Sequence, residues 1–385
     1  MNWKKWILRS LSYILVAALA SAVTLFAWAG KYKGGNKLTE LQSVIDQYFI
    51  GEADMGAAQD MAAAAMVYAL GDQWSYYVPA SELSGYQESK DNSYVGIGVT
   101  IAVREDGNGI DIQGVTLGGP AEAAGILPGD VLIKVNGQSV AGKTTEQVRE
   151  LVRGEENTEL TLVMLRDDVE KTFTLKRQRT VVAAGRMLEG NIGLVRINNF
   201  NSNCAKETIA AIEQLQKQGA TKLIFDVRNN PGGYVDEMLE VLDYLLPEGV
   251  LFREEDYRGN KSERKSNEAC LKLPMAVLVN GDSYSAAEFF AAALQEYEWA
   301  SVVGEKTSGK GYYQMPFTLS DGSVVNLSVG KYSTPNGVNL TEAGGLTPDV
   351  KVPVDEETAW KIAANGISSE KDPQIQAAMG LLQGK

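Results

Sequence analysis

Residues 192–227 read "IGLVRINNFNSNCAKETIAAIEQLQKQGATKLIFDV", and this stretch sets the fold class. "IGLVRI" and "KLIFDV" are short apolar runs of strand length, and residues 205–218 between them have a helical pattern. Strands joined by a crossover helix are parallel neighbours in a sheet. The alternation continues with a helix over 234–246, the strand "MAVLV" at 275–279 and a helix over 286–295. An α/β sheet with crossover helices is therefore expected from about residue 190 onward.

Upstream, the pattern is different. "YVGIGVTIAV" from residue 94 and "GIDIQGV" from residue 109 read as strands, and "PAEAAG" as a short helix closed by Gly125. "VLIKV" is another strand, followed by the two-residue hairpin signal Asn136-Gly137. Thr144 and Gln147 have the spacing of a capping box for a helix through Val148, Leu151 and Val152. "ELTLVML" and "EKTFTLKR" complete a small β-rich module near Gln178. Residues 38–70 are helical, stopped by Gly71 and Asp72, and suit either internal packing or a partner-binding arm.

The first residues place Lys4, Lys5 and Arg9 before an uncharged run over 10–30, about the length that spans a bilayer. This run exceeds the core of an ordinary signal peptide, although "AWA" at 27–29 resembles a cleavage site. An uncleaved signal anchor with a cytoplasmic N-terminus is expected, with Lys31 and Lys33 weakening the charge bias. The chain beyond about residue 34 then lies on the extracytoplasmic side of the cell membrane.

Composition removes whole classes of chemistry. The 385 residues contain no histidine, which excludes a Ser-His-Asp triad, an H-E-x-x-H zinc site and a His-assisted cysteine. A net charge of −13, with 36 basic against 49 acidic residues, argues against a nucleic-acid partner. Cys204 and Cys270 form no C-x-x-C pair and leave one disulfide or none open. No metal site or cofactor is indicated.

In open α/β sheets reacting groups collect beyond the carboxyl ends of the strands. Three such ends stand out: "RNNPGG" at 228–233, "NGDSYSAAE" at 280–288 and "TSGKGYYQ" at 307–314. "GEKTSGK" at 304–310 begins like a phosphate-binding loop, but Gly311 stands where Ser or Thr must reach Mg²⁺. A serine nucleophile in this chain needs a lysine or carboxylate as its base. Taken singly, a serine before a helix is most often an N-cap and a Gly-flanked lysine most often solvated.

The three strand ends in this order, with "TPNG" at 334–337, "GLTPDV" at 345–350 and "DPQIQAAMGLL" near the terminus, resemble the C-terminal processing peptidases, or tail-specific proteases, of the S41 serine peptidase family. The resemblance implies a crotonase/ClpP-like α/β core, and "GGPAEAAGILPGDVLIKVNG" resembles the PDZ domain that this family inserts. The expected division is 1–34 N-terminus and anchor, 35–92 helical region, 93–178 PDZ domain and 179–385 peptidase core.

In that family a serine pairs with a lysine 25 positions later, and 310 − 285 = 25 selects Ser285 over Ser283 and Lys310 as its base. The resemblance also implies that Gln314 orients the lysine amine and that the N–H groups of Ala286 and Gly232 form the oxyanion hole. Glu288 of the family's "SASASE" is kept, the third serine is Ala287, and Ser308 replaces an aromatic residue. Burial beside Tyr312 and Tyr313 is expected to lower the lysine's proton affinity. The PDZ resemblance implies that a substrate's C-terminal tail binds at Val95, Gly96, Ile97 and Gly98; Arg153 matches an "IRG" motif of this family's PDZ domains and is either the contact that passes the bound state to the protease or a solvated helix-end arginine. The expected protein is a membrane-anchored, cofactor-free serine endopeptidase acting on protein tails, compatible with a homo-oligomer. The alternative is an inactive anchored PDZ scaffold.

Overall fold

The computed structural model describes residues 37–384. The chain divides into two compact units with the break between Ala62 and Ala63. The expected anchor lies outside the described residues, among which no helix is long and apolar enough to cross a membrane. In place of one helical run over 38–70 there are two helices, Lys37–Tyr48 and Met55–Tyr68. Asp54 starts the second by accepting the N–H of Ala57 at 3.0 Å.

Five strands, Val99–Val103, Ile110–Val115, Val131–Val135, Glu159–Arg166 and Val169–Lys176, form an antiparallel sheet in that order. The apolar positions alternate as a half-buried strand requires: Ile110, Ile112, Leu160, Leu162 and Met164 are all buried. Val135 pairs with Gln138 across Asn136-Gly137, whose φ values of 48° and 80° are those of the tight hairpin read from the sequence. The helix Thr145–Val152 covers one side with Val148 and Val152, and both bonds of its Thr144/Gln147 capping box form. The chain enters and leaves this module side by side, Val95–Gly96 pairing with Gln178–Arg179.

From Ala183 the expected α/β sheet appears. Ala183–Leu188 runs antiparallel to Ile192–Ile197, which is followed by the parallel strands Lys222–Asp226, Met275–Val279, Ala300–Gly304 and Val350–Lys351. Every residue of Met275–Val279 is buried, because helices cover both faces of a parallel sheet. Val195, Phe225 and Val277 pack on one face in a core shared with Cys204–Lys217, Val235–Leu245 and Ala286–Glu296. Leu194, Ile224 and Leu278 pack on the other against the helix Pro373–Gln383. Cys204 and Cys270 are both free thiols.

A further sheet carries little sequence signal. Tyr76–Val78, Val324–Ser333, Gly249–Asp256 and Lys261–Ser266 lie in that order, with Tyr312–Thr318 on the second of them. "KSERKS" is exposed along five of its six residues and charged at four, so no apolar period marks it as a strand. This sheet ties residues 76–78, from the start of the unit, to residues 324–326 and so delivers the preceding segment to the end of the parallel sheet.

Candidate active site

The buried strand Met275–Val279 ends at a turn that feeds the helix Ala286–Glu296, with Ser285 at the junction. Ser285 has φ 57° and ψ −127°, a backbone state that costs an ordinary residue about 1–3 kcal/mol and must be held by its surroundings. Its N–H donates to Glu288 Oε2 at 2.9 Å, and the N–H of Tyr284 donates to Asn230 O at 3.2 Å. Ser283 is fully buried; its hydroxyl donates to Val227 O at 2.7 Å and accepts the N–H of Asn280 at 3.1 Å. Ser283 is thus a structural tie, whereas Ser285 is half-buried.

The "RNNPGG" turn is anchored from beneath by Arg228. Its guanidinium bonds both carboxylate oxygens of Asp226, together with Asp372 and Gln374 near the C-terminus, and all four residues are buried. Burial alone raises the Asp226 carboxyl, but Arg228 and Arg196 overcome it and hold it at about 2. A Cβ on Gly232 would stand 2.8 Å from Ser285 Cβ and 2.9 Å from Ala286 N, so only glycine allows this approach. The N–H of Ala286, in the helix's first turn, has no hydrogen-bond partner among the described residues. The N–H of Gly232 donates to Asn230 Oδ1 at 2.8 Å, so the structure leaves only one of the two expected oxyanion donors free.

Lys310 lies in the loop after Ala300–Gly304. Burial pushes its ammonium down to about 8, helped by the like charge of Lys90 and opposed by Asp72 and Glu288. The expected aromatic cover is real but comes from other residues. Nζ lies 5.0 Å from the ring centroid of Trp74 and 5.9 Å from that of Tyr284, while Tyr313 stacks on Tyr332 at 4.8 Å. Gln314 donates its amide N–H groups to Tyr312 O (3.2 Å) and Ser328 Oγ (2.9 Å). Ser308 donates its hydroxyl to Gly281 O, joining the lysine loop to the serine turn. Among the described residues no hydrogen bond links Ser285 Oγ to Lys310 Nζ; such bonds often tighten only around a substrate.

Glu288 joins the serine and lysine segments. It is completely buried; Oε2 accepts the N–H of Ser285 and, at 2.8 Å, that of Lys310, and Oε1 accepts Thr307 Oγ1 at 2.5 Å and the N–H of Gly309 at 2.7 Å. A buried carboxylate is tolerated when several donors satisfy it. Asp72 and Trp74 complete the surroundings of the amine from a segment with no chemical motif in the sequence. The faint signal is an aspartate followed by the aromatic-rich "WSYY". No group of three or more His, Cys, Asp or Glu side chains among the described residues is arranged to hold a metal ion.

In the β-rich module Val95 and Gly96 are already paired, and the carbonyls of Ile97 and Gly98 accept the N–H groups of Ala121 and Thr116 at 2.9 Å each. The N–H groups of Ile97 and Gly98 donate to nothing among the described residues. A cleft of about 400 Å³ opens there, lined by Ile97, Val99, Ile101, Val148 and Val152. Arg153 caps the neighbouring helix, with its guanidinium 4.8 Å from the ring centroid of Tyr94 and bonded to Glu150 at 2.9 Å. Among the described residues it makes no hydrogen bond or ion pair with Gln314; Arg153 sits beside Tyr94 and Gln314 on Ser328.

Comparison with known proteins gives two family matches, Peptidase family S41 over residues 191–352 and PDZ domain over 112–166. The "Probable CtpA-like serine protease" of Staphylococcus aureus (strain COL) is 32% identical over 380 residues, covering 95% of this chain and 76% of the relative. The protein of the same name from Staphylococcus epidermidis (strain ATCC 12228 / FDA PCI 1200) is 33% identical over 319 residues, 81% of this chain and 64% of the relative. The solved structure of a "Putative S41 protease from Bacteroides fragilis NCTC 9343" shares the fold, with a TM-score of 0.55, 18% identity, and coverage of 82% of this chain and 87% of that one.

Proposed function

The chain belongs to peptidase family S41 and is a serine protease of the C-terminal processing type, and from this premise we propose that it works through a Ser285/Lys310 dyad, anchored in the cell membrane by residues 10–30 and acting on the tails of extracytoplasmic proteins. The observation that carries the dyad is the shared acceptor: one oxygen of buried Glu288 holds the backbone N–H of both Ser285 and Lys310. Segments separated in sequence are thereby fixed against each other, with the hydroxyl on one and, on the other, an amine whose hold on its proton is weakened by burial.

Lys310 in its neutral form takes the hydroxyl proton as Ser285 Oγ attacks the scissile carbonyl. The resulting oxyanion meets the free N–H of Ala286 at the positive end of a helix; a donor of this kind is worth about 10²–10³ in rate. Gly232 adds a second donor when its N–H turns from Asn230 Oδ1 to the oxyanion. Lys310 then gives the proton to the leaving amine, and the acyl-serine ester is hydrolysed by water with Lys310 again as base. Gln314, its amide nitrogen fixed by Tyr312 and Ser328, keeps its carbonyl oxygen for the amine.

The substrate's C-terminal carboxylate would sit on the free N–H groups of Ile97 and Gly98, its last side chain in the apolar cleft and its backbone along the open edge of Val99–Val103. A fluorophosphonate probe and a protein substrate with an apolar tail test the whole. Wild type should be labelled and should cleave; Ser285→Ala and Lys310→Ala should do neither at a measurable rate. A folded wild type that neither labels nor cleaves would leave the anchored scaffold as the reading.

A further inference from the structure

We propose that Trp74 is a positioning residue for the base: its indole face holds the Lys310 amine and shields it from water, on a segment fixed through Asp72, Ser75 and Ser328. This inference rests on Lys310 being the general base. The Lys310 ammonium lies 5.0 Å from the Trp74 ring centroid, and the indole lies 5.8 Å from the Tyr284 ring, so the amine is enclosed by two aromatic groups from distant parts of the chain. Tyr284 immediately precedes the nucleophile.

The support behind Trp74 is a continuous set of hydrogen bonds. Its own N–H donates to Asp72 Oδ1 at 3.1 Å, and Ser75 Oγ donates to Asp72 Oδ2 at 2.5 Å. The N–H of Ser328 donates to Ser75 Oγ at 3.0 Å, and Ser328 Oγ accepts Gln314 Nε2 at 2.9 Å. The next residues, Tyr76–Val78, are paired with Val324–Asn326. Trp74 and Gln314 are therefore tied to the same scaffold through Ser328.

The indole acts on the amine in two opposed ways. Its face attracts the ammonium, which favours the charged form, and its bulk excludes water, which favours the neutral form. The other charged groups acting on the amine are Lys90, which favours the neutral form, and Asp72 and Glu288, which favour the charged one. Substitutions can separate the two effects by sign. Trp74→Leu keeps the shield and loses the π face, so the acid limb of the pH profile of kcat/KM should move down by about half a unit. Trp74→Ser admits water, so the limb should move up and the rate at pH 7 should fall about tenfold or more. Trp74→Phe should restore most of both.

A second readout is spectroscopic and leaves Trp74 in place. In wild-type protein carrying 5-fluorotryptophan, the Trp74 ¹⁹F resonance should titrate with the midpoint of the acid limb, and that titration should vanish in Lys310→Met. An unmoved acid limb in both Trp74→Leu and Trp74→Ser, or a Trp74 resonance indifferent to Lys310, overturns the proposal. Should Lys310→Ala still cleave while the Trp74 resonance follows Lys310, the dyad reading fails and the Trp74 contact stands as geometry without a catalytic base.

Discussion

Glu288 Oε2 accepts the backbone N–H of Lys310 at 2.8 Å, across 22 residues of sequence. With Ser285 on the same oxygen and Thr307 and Gly309 on the other, each oxygen serves two donors. Glu288→Gln keeps the shape but converts one oxygen into an NH₂ group facing two donors, leaving both unmatched in a dry site. A loss of about 2–4 kcal/mol in unfolding free energy is expected, with hydrolysis falling more than the folded fraction explains. Denaturant titration alongside kcat/KM separates the two; a variant as stable and active as wild type would remove Glu288 from its proposed place.

Ser283 and Ser285 should respond to substitution in opposite ways. Ser285→Gly removes the nucleophile and relieves a positive φ, so activity should vanish while stability rises by about 1 kcal/mol. Ser283→Ala removes a buried hydroxyl that donates to Val227 O and accepts from Asn280, so stability should fall by about 1–3 kcal/mol while the folded protein still cleaves. Thermal melts and a peptide assay on both variants decide the assignment.

Activity should rise with pH. Only the neutral amine accepts the serine proton, and burial lowers Lys310 from 10.5 to about 8. Near pH 7 about one enzyme molecule in ten then has its base ready, against about one in three thousand for an ordinary lysine. The profile of kcat/KM should climb through about pH 8 and level off above it, and EDTA should leave it unchanged. A limb centred near pH 10, or loss of activity on chelation of a folded sample, contradicts this mechanism.

How much of this could be read from the chain depended on where the signal was local. The parallel sheet was legible because strands such as Met275–Val279 are apolar throughout and are separated by helices. The Asn136-Gly137 hairpin and the Thr144/Gln147 box were legible because turn and cap chemistry occupies adjacent residues. The sheet containing Lys261–Ser266 was hidden, since its solvated strand has no apolar period. Trp74 was hidden for another reason: its place beside Lys310 depends on Tyr76–Val78 pairing with Val324–Asn326, far along the chain, and no local pattern encodes such a register. The Gln314–Ser328 contact was hidden because it depends on the bulged register of Tyr312–Thr318 against Val324–Ser333.

Arg153 offers the last test, because it caps the helix that lines the tail cleft while its guanidinium rests on Tyr94, where the chain enters the module. Its exposed pair with Glu150 contributes little by itself. The Tyr94 contact, however, joins the cleft helix to the residue whose carbonyl accepts the N–H of Thr180 at 2.9 Å, where the chain leaves the module for the peptidase sheet. A bound tail can shift the protease only if it binds one arrangement of this junction more tightly than another. If the contact transmits tail binding, Arg153→Ala should lower kcat two- to tenfold on a tailed protein at saturation, by about 0.4–1.4 kcal/mol, and leave a short peptide without a tail unaffected. Simple capture predicts a raised KM for tailed proteins with kcat unchanged. An effect on neither would make Arg153 an ordinary solvated helix cap.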